Sequence, residues 1–452
     1  MSRSMMFHSK IATLMFAFAS MLILTNCTNN SWPQFQYNAA HSGQNAASTL
    51  TPGTAASLTP TDLYPTSGND LFNSQIAVDQ LYTVRNLFPP HRTLLFADGL
   101  YTSSIYAIDP DTKSLAWTPF VMANGSINST PAVDDTRYVV YATDAGKLYA
   151  IDEMQGTLLW YGVVPNQGSY YINPGPSPVV SNGFVYVAGS NGHIYKFDPT
   201  HCPNNQGQCQ PVWTSQAVGA STFSTTPVVA TTARGNTYVF IAAFVSSTVQ
   251  ETYAFRDTDG THVWTTSEYG GIARFSGSSV SSPAVLNGIV YVGSSLPAYP
   301  AIGSLRAYDG DTGTACWNIL YLPVLGEINS SPALVMENNQ PVAYVGTSHG
   351  LQKIDARCSG TGSTLWSNYA GAPTGYSSPV VANTGGNEVI FVGTASDTIN
   401  GSGTGQLEAF DSNGSPVALS GVFGDNSDVE ASPTVYGTSV YVTNQNGDIY
   451  VF

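Results

Sequence analysis

The sequence predicts an all-β protein: an eight-bladed β-propeller of four-stranded antiparallel blades, closed by an N-terminal strand that completes the last blade. Three observations predict it. A short signal of small residues and proline recurs along the chain. Each recurrence is followed by the same succession of strands and turns. The composition also suits strands, with only 10% charged residues alongside 43 Gly and 26 Tyr, and no bias toward helix formers.

The recurring signals are STPAV (129–133), PSPVV (176–180), TTPVV (225–229), SSPAV (281–285), SSPAL (330–334), SSPVV (377–381) and ASPTV (431–435), with prolines 47 to 56 residues apart. An eighth, NSQIAV (73–78), fits with Gln75 in the proline position. Proline at the first residue of a strand costs no ladder hydrogen bond. A second strand follows, as in GFVYVAGS (183–190), and then a third, as in GHIYKFD (192–198) or GSLRAYD (303–309). An Asp-led turn comes next, and a fourth short strand that usually ends in Trp: Trp117, Trp160, Trp213, Trp264, Trp317 or Trp366. Gly, Asp and Asn clusters between the strands suit hairpin turns. A unit of four strands repeated at this length is a propeller blade, and eight units fall within the range of propellers. The Trp side chains should pack between neighbouring sheets.

The last unit has three strands and stops at NGDIYVF (446–452). Trp32, in SWPQFQYN (31–38), belongs to no unit. This segment is expected to supply the missing fourth strand, protecting the sheet edges. The other reading makes it a tether that happens to contain a Trp.

The start of the chain is different. Arg3 and Lys10 precede the apolar run IATLMFAFASMLIL (11–24). That run is shorter than the roughly 20 residues a bilayer span needs and suits a signal peptide. LTNC (24–27) resembles the lipobox of bacterial lipoproteins, although Asn26 stands where a small residue is usual. We therefore expect a leader over 1–26, a tether over 27–30 carrying lipid on Cys27, and one propeller over 31–452. Ordinary cleavage after AFA (17–19) is the alternative. An exported chain pairs its remaining cysteines. Cys202 and Cys209 flank a turn-rich loop, and Cys316 and Cys358 lie beside equivalent turns of adjacent units. Removal of the leader leaves 12 basic against 29 acidic side chains, which argues against a nucleic-acid partner.

The pattern SSPVV…VYVG…YAID..TG…W, together with SWPQFQYNAAHSGQN (31–45), resembles the PQQ-like (quinoprotein-type) propeller repeat family. That family includes PQQ-dependent alcohol dehydrogenases. It also includes non-enzymatic lipoproteins, among them the eight-bladed scaffold of the outer-membrane barrel-assembly machinery. The resemblance implies the fold and leaves function open. The dehydrogenases hold PQQ under a disulfide between adjacent cysteines, with Ca²⁺ and an Asp base. This chain has no adjacent cysteines and few cations for a cofactor with three carboxylates. No cofactor, metal or catalytic residue is therefore expected, with PQQ and calcium as the alternative. GTSHG (346–350) matches a nucleophile elbow but falls at a hairpin position. DTDG (257–260) and DGDTG (309–313) fall at the repeated turn, where Asp and Gly serve the turn itself.

Thr28 after the cysteine favours the outer membrane by the general pattern of lipoprotein sorting. The expected role is that of a periplasmic, lipid-anchored scaffold for a protein or peptide, a monomer within a larger complex. Aromatics in the loops between blades are the candidate contacts: Tyr170, Tyr171, Phe223, Tyr269, Phe275, Tyr321 and Tyr376, with Arg274 as a cation among them. The same rings could instead pack on each other and cap the blades, or form a mouth for a small ligand or glycan.

Overall fold

The computed structural model describes residues 31–452 except 65–73, 82–91, 100–101, 126–128, 166–174, 219–222, 224, 247–248, 270–280, 297–301, 318–327, 329, 369–376, 395–404, 420–427 and 445. It is the eight-bladed propeller that the repeats predict. Blade 1 is built on strands Ala77–Leu81, Arg92–Gly99 and Ser104–Asp109, and blade 2 on Ala132–Asp134, Val139–Thr143, Lys147–Asp152 and Leu158–Val163. Blades 3 to 7 begin with Val179–Ser181, Val228–Thr231, Ala284–Leu286, Ala333–Glu337 and Val380–Ala382. Blade 8 begins with Thr434–Tyr436. The first strands of successive blades touch one another in a closed ring, blade 8 against blade 1, so they line the axis.

Closure differs from expectation in the segment used. The fourth strand of blade 8 is Thr61–Tyr64, antiparallel to Ile449–Val451, and not residues 31–38. Gln36 and Tyr37 have φ of 52° and 77°, which no strand accommodates. The strand at 61–64 instead places Leu63 in the core shared with Val440, Val442 and Ile449. In blade 1, Ile76 occupies the position of the other blades' proline, and Gln75 the hydroxyl position before it, because Ala77 pairs as Ala132 does in blade 2.

The repeated turn and the terminal Trp form one joint. Asp109, Asp152, Asp309 and Asp411 each accept backbone N–H groups from the residues that follow, and so hold the turn. The Trp of the preceding blade docks there. Trp117, Trp213, Trp264, Trp317 and Trp366 each donate from Nε1 to a carbonyl of the next blade, of Glu153, Asp257, Gly310, Arg357 and Ser412. At Gly313, φ is +69° and an added Cβ would lie 2.8 Å from the Trp264 ring, so this turn position takes only glycine. GTSHG is a hairpin, with Thr347 paired to Gly350 between the second and third strands of blade 6.

Both disulfides join the expected partners, Cys202 to Cys209 and Cys316 to Cys358. The first stiffens a loop whose Gln208–Cys209 segment pairs in parallel with Tyr161–Gly162. It thereby covers the outer edge of blade 2. The second links blade 5 to blade 6. The double variant Cys316→Ser, Cys358→Ser should lose about 2–4 kcal/mol, read as a shift in the urea midpoint. An unchanged midpoint would mean that the Trp317 joint alone fixes these blades.

Candidate functional site

The described part of the molecule has its most unusual construction on the axis. Two concentric systems of hydrogen bonds lie there. The outer one explains the hydroxyls that precede the signal prolines. The N–H of Thr130 donates to the Ser177 hydroxyl, that of Ser177 to Thr226, and that of Thr226 to Ser282, at 2.9–3.0 Å. Ser331 donates to Ser378, and Ser378 to Ser432, in the same way. Each bond crosses from one blade to the next. At the closure the Gln75 side chain takes over, donating to the Pro433 carbonyl at 2.5 Å.

The inner system is a cord formed by residues 32–45. Trp32 exchanges both backbone bonds with Val78 of blade 1. Val133 N–H donates to Pro33 O, and Val180 N–H to the Gln34 side chain. Val229, Val285, Leu334 and Val381 then donate to the carbonyls of Ala39, Ala40, Ser42 and Gly43. Asn45 Nδ2 finally donates to Val435 O in blade 8. These eight contacts fall on the same position of every signal, two residues past the proline. The cord makes one circuit, touching each blade once in order. It leaves on the face of the strand 1–2 turns, where Ser48 Oγ donates to Gly437 O and Asn383 Nδ2 to Leu50 O. The helical turn Pro52–Ala55 then leads to the closing strand.

Within the cord, Asn38 Oδ1 accepts from the N–H groups of Ala40 and Ser42, which sets the bend. His41 is fully buried, with Nδ1 2.8 Å from Pro283 O. Burial lowers its pKa to about 4, so the ring is neutral near pH 7 and Nδ1 carries the donated proton. Where the cord begins, Ser31 Oγ donates to Asp79 at 2.7 Å. Glu153 of blade 2 is fully buried beside that carboxylate. Neither Glu153 carboxylate oxygen has a hydrogen-bond partner, and burial, then the charge of Asp79, push Glu153 up to about 9. Burial likewise raises Asp79, and Asp135 and Asp152 add to the negative field.

The sign of the pH effect follows. Unfolded Glu153 would lose its proton near pH 4.5, whereas folded Glu153 keeps it to about 9. Between these values the folded state binds the extra proton, so stability falls as pH rises. Glu153→Gln should flatten that slope and exceed the wild type in melting temperature at pH 8. Below about pH 6.5 the buried neutral His41 acts oppositely, and stability falls as pH drops toward 4. A melting temperature equal at pH 5, 7 and 9 in both proteins would refute the pair.

Of the residues expected at a partner surface, Phe223 belongs to the core. It is 1% exposed and packs edge-on against Tyr253 at 5.7 Å, beyond the reach of a partner. Tyr269 ends the strand His262–Tyr269 of blade 4. Tyr170, Tyr171, Arg274, Phe275, Tyr321 and Tyr376 lie outside the described residues, as does Cys27. The cord itself was legible only as a family signature, because its contacts join residues up to 390 positions apart.

The fold and axis define a propeller with its centre filled by its own N-terminal segment. The chain belongs to the PQQ-like propeller family. Residues 101–241 and 204–385 match the family described as outer membrane protein assembly factor BamB, together more than half of the chain. The crystal structure of BamB from Moraxella catarrhalis is 18% identical, with a TM-score of 0.53 over 83% of this chain and 99% of that one. A europium-containing methanol dehydrogenase is 13% identical, with a TM-score of 0.56 over 94% of this chain and 91% of its own. Sqt1 of Saccharomyces cerevisiae is also 13% identical, with a TM-score of 0.57 over 88% and 98%. At such identities the likeness is one of fold. No curated protein matches the sequence.

Members of the family that are dehydrogenases carry PQQ, whose three carboxylates call for cations or free N–H groups at the site. Neither residues 31–50 nor the eight signal segments contain a Lys or Arg. The axial N–H groups of seven blades are already taken by the cord. Among the described residues, the axis therefore offers a cofactor with three carboxylates no cation, and no free inner-strand N–H in seven blades. Among the described residues, no group of three or more His, Cys, Asp or Glu side chains is placed to hold a metal ion, and no helix is long and apolar enough to cross a membrane.

Proposed function

We propose that the chain is a non-catalytic propeller of the bacterial envelope, anchored through a lipid on Cys27 at the periplasmic side of the outer membrane, that holds a protein or peptide partner. The observation that carries the non-catalytic part is the uncharged, self-filled axis. The envelope part is supported by the match to the BamB family and by the sequence of the first 27 residues. Two measurements test the parts separately. PQQ with Ca²⁺ should leave the melting temperature unchanged and give no dye-linked oxidation of alcohols or sugars. A ligand at 100 times its Kd would stabilise by about 2.7 kcal/mol, so a PQQ-dependent shift would be plain and would move the assignment to a dehydrogenase. Cys27→Ala should release the protein from the membrane fraction, and the wild type should carry the mass of acyl chains. An unacylated wild type would remove the anchor.

A further inference from the structure

We propose that the axis of the ring is a peptide-binding site, that residues 31–50 are a ligand bound in cis, and that this segment can be exchanged for an equivalent peptide in trans.

The cord enters the sheet of one blade, where Gln44–Asn45 pairs in parallel with Val381–Ala382 of blade 7. Every pairing between blade strands exists without it, and the ring is closed independently by Thr61–Tyr64. What the blades offer the axis is a repeated row of backbone groups, at the same position of each signal. A bare row of this kind would recruit any extended chain. The occupant meets the row as a ligand does, mostly through its own carbonyls, with Trp32 and Phe35 as buried aromatic anchors.

Its connection to the ring is slight. Beyond the helical turn, Ala56, Ser57 and Thr59 are exposed, Leu58 packs on the core, and the next strand begins at Thr61. The fit is also imperfect. Trp32 Nε1, His41 Nε2 and both polar atoms of the Gln36 side chain are buried without a partner. Such atoms cost about 1–3 kcal/mol each. Gln36, Tyr37 and His41 hold left-handed φ angles. The ligand class follows from the cord: an uncharged, extended peptide of about fourteen residues with an aromatic anchor at its start, glycine at the tight approach to blade 6, and an amide at its end. At Gly43 the φ is +64° and a Cβ would meet Ala333 at 2.8 Å.

The test uses the full chain with a protease recognition sequence in place of residues 56–60. After cleavage, a synthetic peptide of residues 31–55 is added, with a fluorophore on an N-terminal glycine extension. The expected result is saturable incorporation of one peptide per ring, with the ring's circular dichroism unchanged. Unlabelled peptide should compete. Peptides carrying Trp32→Ala or Gly43→Ala should compete at least tenfold more weakly, and a scrambled peptide should not compete. Failure to incorporate over several days by an intact, folded ring overturns the proposal. So does a ring that unfolds as the segment leaves, which would make the cord indispensable to the fold, or equal binding of the scrambled peptide.

Discussion

Leu63→Asp opens the ring, with a loss of more than about 4 kcal/mol in stability and a broadened unfolding transition. Leu63 is 2% exposed, in the strand that ties the N-terminal part of the chain to the C-terminal blade. Two losses combine at this position. The apolar side chain leaves the cluster it shares with Val440, Val442 and Ile449, and a carboxylate replaces it among apolar side chains. Without this strand the outer edge of Ile449–Val451 has no partner, and blade 8 is held to the rest only through its inner strands. Guanidinium unfolding followed by both fluorescence and circular dichroism measures the effect. Leu63→Met serves as the control and should stay within about 1.5 kcal/mol. A Leu63→Asp protein with a single transition at the wild-type midpoint would mean that another segment closes the ring.

Trp32→Ala should cost about 3–5 kcal/mol, the cost of truncating a large side chain in a core. The ring is fully buried and packs edge-on against Tyr37 at 5.2 Å. Its backbone bonds to Val78 remain in the variant, so the loss reports packing at the start of the cord. Hydrogen exchange should then increase first at Val78, Val133 and Val180, whose blades meet residues 32–34. A melting temperature within a degree of the wild type would show that the first turn of the cord is not anchored by its aromatic side chain.

The same residue separates what could be read in the chain from what could not. As a Trp outside any repeat it pointed to a missing outer strand. The outer strand instead comes from TDLY (61–64), four residues with no signature, and Trp32 lies at the centre. The blades were legible because their causes are local. Strand alternation, the Asp-led turn and a proline at the start of seven of the eight inner strands all act within about ten residues, and they recur along the chain. The Trp joints were legible for a related reason: each crosses to the next copy of the same turn, so one spacing serves all five. The hydroxyl before each proline was visible as a pattern, but its role as an acceptor from the neighbouring blade was not.

The sequence by itself thus determined the blade, its number and its turns, together with the cysteine pairs that neighbouring turns bring close. Only the tertiary structure decided the course of residues 31–50, the strand that closes the ring, and the burial of Glu153 beside Asp79. Each of these joins parts of the chain that have no periodic relation. The cord takes its conformation from eight backbone edges that exist as one surface only after the ring has formed. Glu153, likewise, is buried, and meets the Asp79 charge that adds to its shift, only when blade 2 has closed against the strand carrying Asp79.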